Sequence, residues 1–458
     1  MQLPAHFLAL LAAVTLISVD ARPVKRAARM ITLPIRQVQR DMHVHVELRH
    51  QHQINRAERL MARAAGLPDP SPAQVRAKLE RRASFIPALA ERFNIPSADY
   101  LLPADESGDV INSLVQDDDS DTPPVLAKNS SQVFPIGADT DYVAVVEIGT
   151  PSRPFNILLD SGSGDFWVGS TNCKGEDGGG CGNHTFLSEV NSQSFVNTKK
   201  KFSDSYGSGQ ADGDIVTDTV ILAGMVLSNH TFGAASSLSA SFVGDKVSDG
   251  LMGLGGKGLS NQGVPTPVQA LKNAGFIDSA ITSYRLPRFL DQSNVGEVTF
   301  GGVDETKFDA STLVQMKNAD GGNGFWLAPL GGVSINGGDV RINSTVAILD
   351  TGTTLLIAPT PDAAAIHAQI PGAKLQDSGS YTIPCNTAAS VALKFGGKSF
   401  VINPKDLLFA SGGRTSGDCT SGIGAFDDDK FLVGNTFLKS VYFSTNADDN
   451  TMTLAKAI

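Results

Sequence analysis

Two kinds of hydrophobic pattern divide the chain. Residues 5–19 (AHFLALLAAVTLISV) are continuously apolar, yet short of the roughly 20 residues a membrane span needs. Small residues and Asp20-Ala21 follow, so residues 1–21 read as a secretory signal peptide, although the amino terminus and His6 are the only positive groups before the run. No other stretch approaches membrane length, and no apolar C-terminal tail suggests a lipid anchor. Residues 35–65 and 73–92 have helical composition with Arg throughout. From about residue 133 the pattern changes to short β-branched and aromatic runs split by Gly, Asp, Asn and Ser: YVAVVEIG, FNILLD, SFVNTK, DTVILAG, EVTFGG, TVAILD, FLVGN and SVYFST. Runs of this length and spacing predict an all-β body. Its best helical candidates are 265–275 and 360–370, each with Pro near its start.

Composition sharpens this division. The 458 residues allow two to four structural units, and 41% hydrophobic with 46 Gly fits a turn-rich β protein with a real core, which excludes wholesale disorder. Residues 22–100 carry a net charge of +8, residues 101–127 hold seven acidic and no basic side chains, and residues 128–458 carry −10. The overall −10 argues against nucleic acid as a partner. A basic arm and acidic linker (22–127) ahead of an acidic body suggest a removable prosegment, with Lys25-Arg26 and Arg81-Arg82 as candidate dibasic processing sites. The plainer alternative is a solvated basic arm. His43, His45, His50 and His52 alternate, but without Cys a zinc site is not expected there.

The body contains an internal repeat. Asp160-Ser161-Gly162-Ser163 follows FNILL, and Asp350-Thr351-Gly352-Thr353 follows TVAIL 190 residues later. Leu251-Met252-Gly253 lies downstream of the first copy and Leu432-Val433-Gly434 downstream of the second. Two related lobes are therefore expected, 128–310 and 311–458. One Asp-x-Gly alone is an ordinary turn. Two, each ending an apolar strand, place carboxylates where only hydrogen bonds make them tolerable.

With Phe166-Trp167-Val168, Tyr206-Gly207-Ser208-Gly209, the segment 249–255 and Leu432-Val433-Gly434 in order, residues 135–458 resemble the pepsin-like aspartic endopeptidases, most nearly their secreted fungal members. The resemblance implies a bilobal β fold with a central cleft, Asp160 and Asp350 as the catalytic pair, and a flap closing over peptide substrate. It implies that Ser163 and Thr353 hydrogen-bond the two aspartates, and that Ser161 and Thr351 lock the loops together. It places Tyr206, Gly207 and Ser208 at the flap, Trp167 behind Tyr206, and Leu158 and Ile348 beside the scissile bond. It implies no cofactor and no metal, inhibition by pepstatin-type compounds and by the chain's own prosegment, and a monomer. It also pairs Cys173 with Cys181 and Cys385 with Cys419, one of three pairings that four Cys allow. Large hydrophobic residues are expected at the cleaved bond. Gly164-Asp165 and Asn435 depart from the family pattern. A secretory route, ending outside the cell or in a vacuole-like compartment, makes Asn129, Asn183, Asn229 and Asn343 candidate glycan sites. A glycosidase carboxylate pair and a Ser-His-Asp hydrolase fit less well. The runner-up is a non-catalytic pepsin-like binding protein. Protonating His43–His52 is expected to tighten the prosegment on the acidic body, and protonating body carboxylates to release it.

Overall fold

The structure is a computed structural model that describes residues 30–38, 46–85, 141–206, 209–245, 247–288, 291, 296–320, 322–411 and 417–458. The expected signal peptide, the acidic linker, Lys25-Arg26, His43, His45, Gly207, Ser208 and Asn129 lie outside these residues.

Strands dominate, as the alternating runs predict, and their pairing explains why one lobe repeats the other. In the first lobe β2 (Asp141–Ile148) pairs with β3 (Arg153–Asp160), which runs parallel to β8 (Gly250–Gly253). β4 (Phe166–Gly175) lies antiparallel to β8 on the other side. The second lobe repeats this arrangement: Val346–Leu349 runs parallel to Phe431–Val433, which pairs antiparallel with Leu356–Pro359. Each strand leading into an Asp-x-Gly turn is thus flanked by the Leu-x-Gly segment seen in the sequence repeat. Strands β5 (Val196–Tyr206), β6 (Gly209–Leu222) and β7 (Met225–Leu238) form an antiparallel meander, and the β5–β6 hairpin carries Tyr206 opposite Gly209.

A sheet joins the two halves. Its strands include β9 (Ile281–Arg285), β10 (Glu297–Phe300), β11 (Phe308–Lys317) and the C-terminal pair Val441–Asn446 and Thr451–Ala457. The 310/311 division expected from the repeat falls inside β11.

The N-terminal arm differs from its sequence reading. Residues 35–38 are not helical: β1 (Ile31–Val38) inserts between β10 and β2, antiparallel to both. Ile31, Leu33 and Ile35 alternate inward and are buried, the period-2 pattern that helical composition obscured. Helix α1 (Val46–Ala64) and helix α2 (Pro72–Ser84) follow; α2 starts in a capping box of Ser71 and Gln74. The body's two expected helices form at Pro267–Asn273 and Thr360–Ala368, the first with the Thr266 N–H donating to Gln269 Oε1 at 3.2 Å. Two disulfides, Cys173–Cys181 and Cys385–Cys419, each stay within one lobe.

Candidate active site

Asp160 ends β3 and Asp350 directly follows Val346–Leu349. Both are buried, at 2% and 0% exposure. Their loops hold them identically. Asp160 Oδ1 accepts the Gly162 N–H at 2.9 Å and Oδ2 the Ser163 hydroxyl at 2.8 Å. Asp350 Oδ1 accepts the Gly352 N–H at 2.9 Å and Oδ2 the Thr353 hydroxyl at 2.5 Å. Each carboxylate's burial is offset by donors aimed from its own turn.

The loops also interlock. The Ser161 N–H donates to Thr351 Oγ1 at 3.0 Å, and the Thr351 N–H donates to Ser161 Oγ at 2.9 Å. Each hydroxyl passes its own proton on, Ser161 to the Leu349 carbonyl at 3.4 Å and Thr351 to the Leu159 carbonyl at 3.2 Å. The glycines explain how close the loops come. A Cβ on Gly162 would lie 2.6 Å from Asp350 Oδ1, and one on Gly352 would lie 2.2 Å from Asp160 Oδ1. Only the hydrogen side chain fits between each loop and the opposite carboxylate.

Burial first, then the adjacent Asp160 charge, push the Asp350 carboxyl above the ordinary carboxylate range. Such a pair retains one proton, and aspartic proteases are the standard example of this behaviour. One carboxylate can then take a proton from a water between them while the other donates to a carbonyl oxygen.

A flanking apolar cluster in the first lobe contains Leu158, Trp167, Phe202, Tyr206 and Phe242, and a second-lobe cluster contains Ile348, Phe325, Leu327 and Leu432. Tyr206 accepts the Trp167 indole N–H at 2.8 Å, and both rings meet Phe242 edge-on. Asn183, Asn229 and Asn343 are exposed on the surface.

The profile of the eukaryotic aspartyl protease family matches residues 141–457, the span that holds both loops and the hairpin. The chain belongs to this family. It is 33% identical to the major aspartyl peptidase 1 of Cryptococcus neoformans var. grubii, over 67% of this chain and 66% of that protein. It is 31% identical to the aspartic-type endopeptidase ctsD of Aspergillus fumigatus, over 74% of this chain and 69% of the relative. With the rhizopuspepsin of Rhizopus chinensis it shares 36% identity over 68% of this chain and 77% of the relative. The matches thus span about two thirds of the first two relatives' own length.

Absent from the sequence reading of this aspartyl protease is what α1 does. It lies across the paired loops. Arg56 Nη2 is 3.4 Å from Asp160 Oδ2, and its Nη1 is 3.9 Å from Asp141 Oδ1. Arg59 donates to the carbonyls of Tyr206 and Gly209, which ties α1 to the hairpin. Ala57, Leu60 and Met61 pack into the second-lobe cluster around Ile348, and the Thr354 N–H donates to Gln53 Oε1 at 3.3 Å. The signal was present: Arg56, Arg59 and Arg63 recur at helical spacing beside an Ala57-Leu60-Met61-Ala64 stripe.

One of the arm's histidines, His50, also behaves differently from expectation. His50 is 2% exposed, and its Nδ1 lies 2.8 Å from Arg82 Nη2. Because Arg82 can only donate, Nδ1 must be unprotonated here. Burial, then the charges of Arg82 and His367, push His50 down to about 3. Protonating it sets cation against cation, so this histidine opposes docking at low pH instead of tightening it. Among the described residues no group of three or more His, Cys, Asp or Glu is placed to hold a metal, and no helix is long and apolar enough to cross a membrane.

Proposed function

We propose that this chain is a secreted acid endopeptidase made as a zymogen, hydrolysing peptide bonds with a water activated between Asp160 and Asp350. The observation that carries the reading is the junction of the two loops: two buried carboxyls with matching donors, brought together by the crossed Ser161–Thr351 pair. No group of the protein is placed as an acyl-forming nucleophile in this scheme. The shared proton, the water and the scissile carbonyl suffice. Tyr206 and the β5–β6 hairpin would close over the substrate, with large apolar residues favoured by the Leu158 and Ile348 clusters on either side.

The arm at 22–127 is the intramolecular inhibitor in this reading. Arg56 neutralises the one net charge of a singly protonated pair, and α1 occupies the place a peptide needs. Acid would undo this in two ways. Protonated body carboxylates lose their attraction for residues 22–100, which carry the +8, and protonated His50 loses its bond from Arg82. Cleavage in the linker would then complete activation.

The deciding experiment is peptide hydrolysis at pH 3 to 6 by wild type, Asp160→Asn and Asp350→Asn after the arm is removed with an added protease. Both variants are expected to lose all but a few per cent of turnover and pepstatin to abolish the rest. Substantial activity in either variant sinks the two-carboxylate assignment. Full processing of the wild type at pH 7 sinks acid release.

A further inference from the structure

Behind the hairpin lies a second carboxyl pair that the peptide-bond chemistry leaves unused. Asp165 directly precedes β4 and Asp204 lies in β5, and both are 2% exposed. Asp165 accepts the Ser260 hydroxyl at 2.5 Å, the Asn261 N–H at 2.6 Å, and the Gln262 N–H at 3.3 and 3.4 Å. Both of its oxygens are thus taken up as acceptors. Asp204 has Oδ1 filled by the Asn261 amide at 2.8 Å, while Oδ2 lies 3.5 Å from the Tyr206 hydroxyl and the carboxyl is within hydrogen-bonding reach of Asp165.

No ion pair to either carboxyl occurs among the described residues. The charged or titratable groups facing Asp204 are Asp165 ahead of β4, Tyr206 on β5, and Arg63 on α1, itself 3.1 Å from Asp69. Arg59, also on α1, is engaged with the Tyr206 carbonyl. When the arm leaves, both arginines leave with it. Two buried carboxyls with no cation among the described residues favour sharing a proton, and the free acceptor geometry places it on Asp204, whose Oδ2 has only the Tyr206 hydroxyl 3.5 Å away.

Building on the protease reading above, we propose that Asp204 is a positioning residue, which holds its proton, donates it to Asp165 and thereby fixes Tyr206 against Trp167 for catalysis. The shared proton ties β5 to the start of β4 and to the 259–262 loop, so the hairpin is anchored from behind. Burial and the Asp165 charge push Asp204 up to about 7. A carboxyl raised in the anchored state favours anchoring most at low pH. That advantage falls as pH rises from the free value of about 4 through about 7.

Two measurements test this. In the first, activated wild type and Asp204→Asn are compared as a ratio of kcat/KM at each pH, which cancels the titration of the Asp160–Asp350 pair. The amide donates to Asp165 at every pH. Equal activity near pH 4 and a ratio rising at least about tenfold in the variant's favour by pH 7 are expected. Asp204→Ala, with no donor, is expected to be weaker than Asp204→Asn throughout. A ratio independent of pH, or equal behaviour of Asn and Ala, overturns the proposal. The second measurement needs no activity: tryptophan emission, from pH 4 to 8, of the Asp350→Asn chain after its arm is removed with an added protease. A transition is expected there and is expected to vanish when Asp204→Asn is added. A transition that survives, or none in the single variant, also overturns it. If wild type hydrolyses no peptide, the protease reading fails, while the emission result still decides the role of Asp204.

Discussion

The two aspartate loops have the same hydrogen bonds but opposite surroundings. Each carboxyl receives a glycine N–H and a hydroxyl three residues on, and each loop gives the other one N–H through Ser161 and Thr351. Behind Asp160, however, stand Asp165, Asp204 and a hairpin anchored through Tyr206; in front of it stands Arg56. Behind Asp350 lies a closed apolar strand set with Asn435, whose N–H donates to the Thr353 carbonyl at 2.8 Å. Duplication thus explains how the carboxyls are held. It does not explain how their charge is managed, because charge depends on neighbours that the two lobes do not share.

The comparison breaks most sharply at the glycines. Gly352→Ala and Gly162→Ala each drive a Cβ into the opposite carboxylate, so both are expected to lower kcat by about a hundredfold or more, the scale of a misplaced reacting group. Steady-state kinetics of the activated enzymes checks this. Equal, mild losses would mean that the loops separate at no cost.

The arm presents the next largest contrast. His50 is unprotonated when docked, at about 3, against about 6.5 when free, so docking is most stable above pH 6.5 and weakens as pH falls toward 3. By pH 4 the loss amounts to about 3 kcal/mol. His50→Asn offers Arg82 an acceptor that does not titrate in this range. Its processing midpoint, followed by gel over a pH series, is expected to move at least half a unit lower than wild type. An unchanged midpoint would leave release to the carboxylates alone.

Ser161→Ala and Thr351→Val sharpen the symmetry itself. Each removes one acceptor and leaves one buried N–H unpaired, for a cost of about 1–3 kcal/mol. Urea unfolding of the Asp350→Asn chain is expected to show equal losses for both. Unequal losses would show that one lobe carries the junction. The smallest expected contrast is between the disulfides. Removing Cys385–Cys419, which spans 34 residues, is expected to cost about 1 kcal/mol more than removing Cys173–Cys181, which spans 8, by loop entropy. The same unfolding measurement compares them.

Much of the site was legible because it is local. Asp160, Ser161 and Ser163 form one turn, as do Asp350, Thr351 and Thr353, and a turn's hydrogen bonds follow from residue order. Trp167 and Tyr206 were legible through the motifs that flank them. The sequence reads as helical from residue 35, inside β1, because the strand partners of Ile31–Val38, β2 and β10, lie more than 100 and 250 residues away. His50 is grouped with His43, His45 and His52 in the sequence for the same reason: Arg82 and His367 reach it only after α2 and the helix Thr360–Ala368 have packed.

The amino-acid sequence by itself determined the class of fold, the duplication, the two carboxylates with their hydroxyl and glycine partners, and the charge opposition between arm and body. These are properties of spacing and composition, which short-range physics converts directly into turns and strands. Tertiary structure alone decided which charges meet. Arg56 against Asp160, His50 against Arg82, and Asp165 against Asp204 join residues 104, 32 and 39 positions apart. A buried group's protonation depends on what stands within a few ångströms of it, and no local pattern in the chain encodes that neighbour.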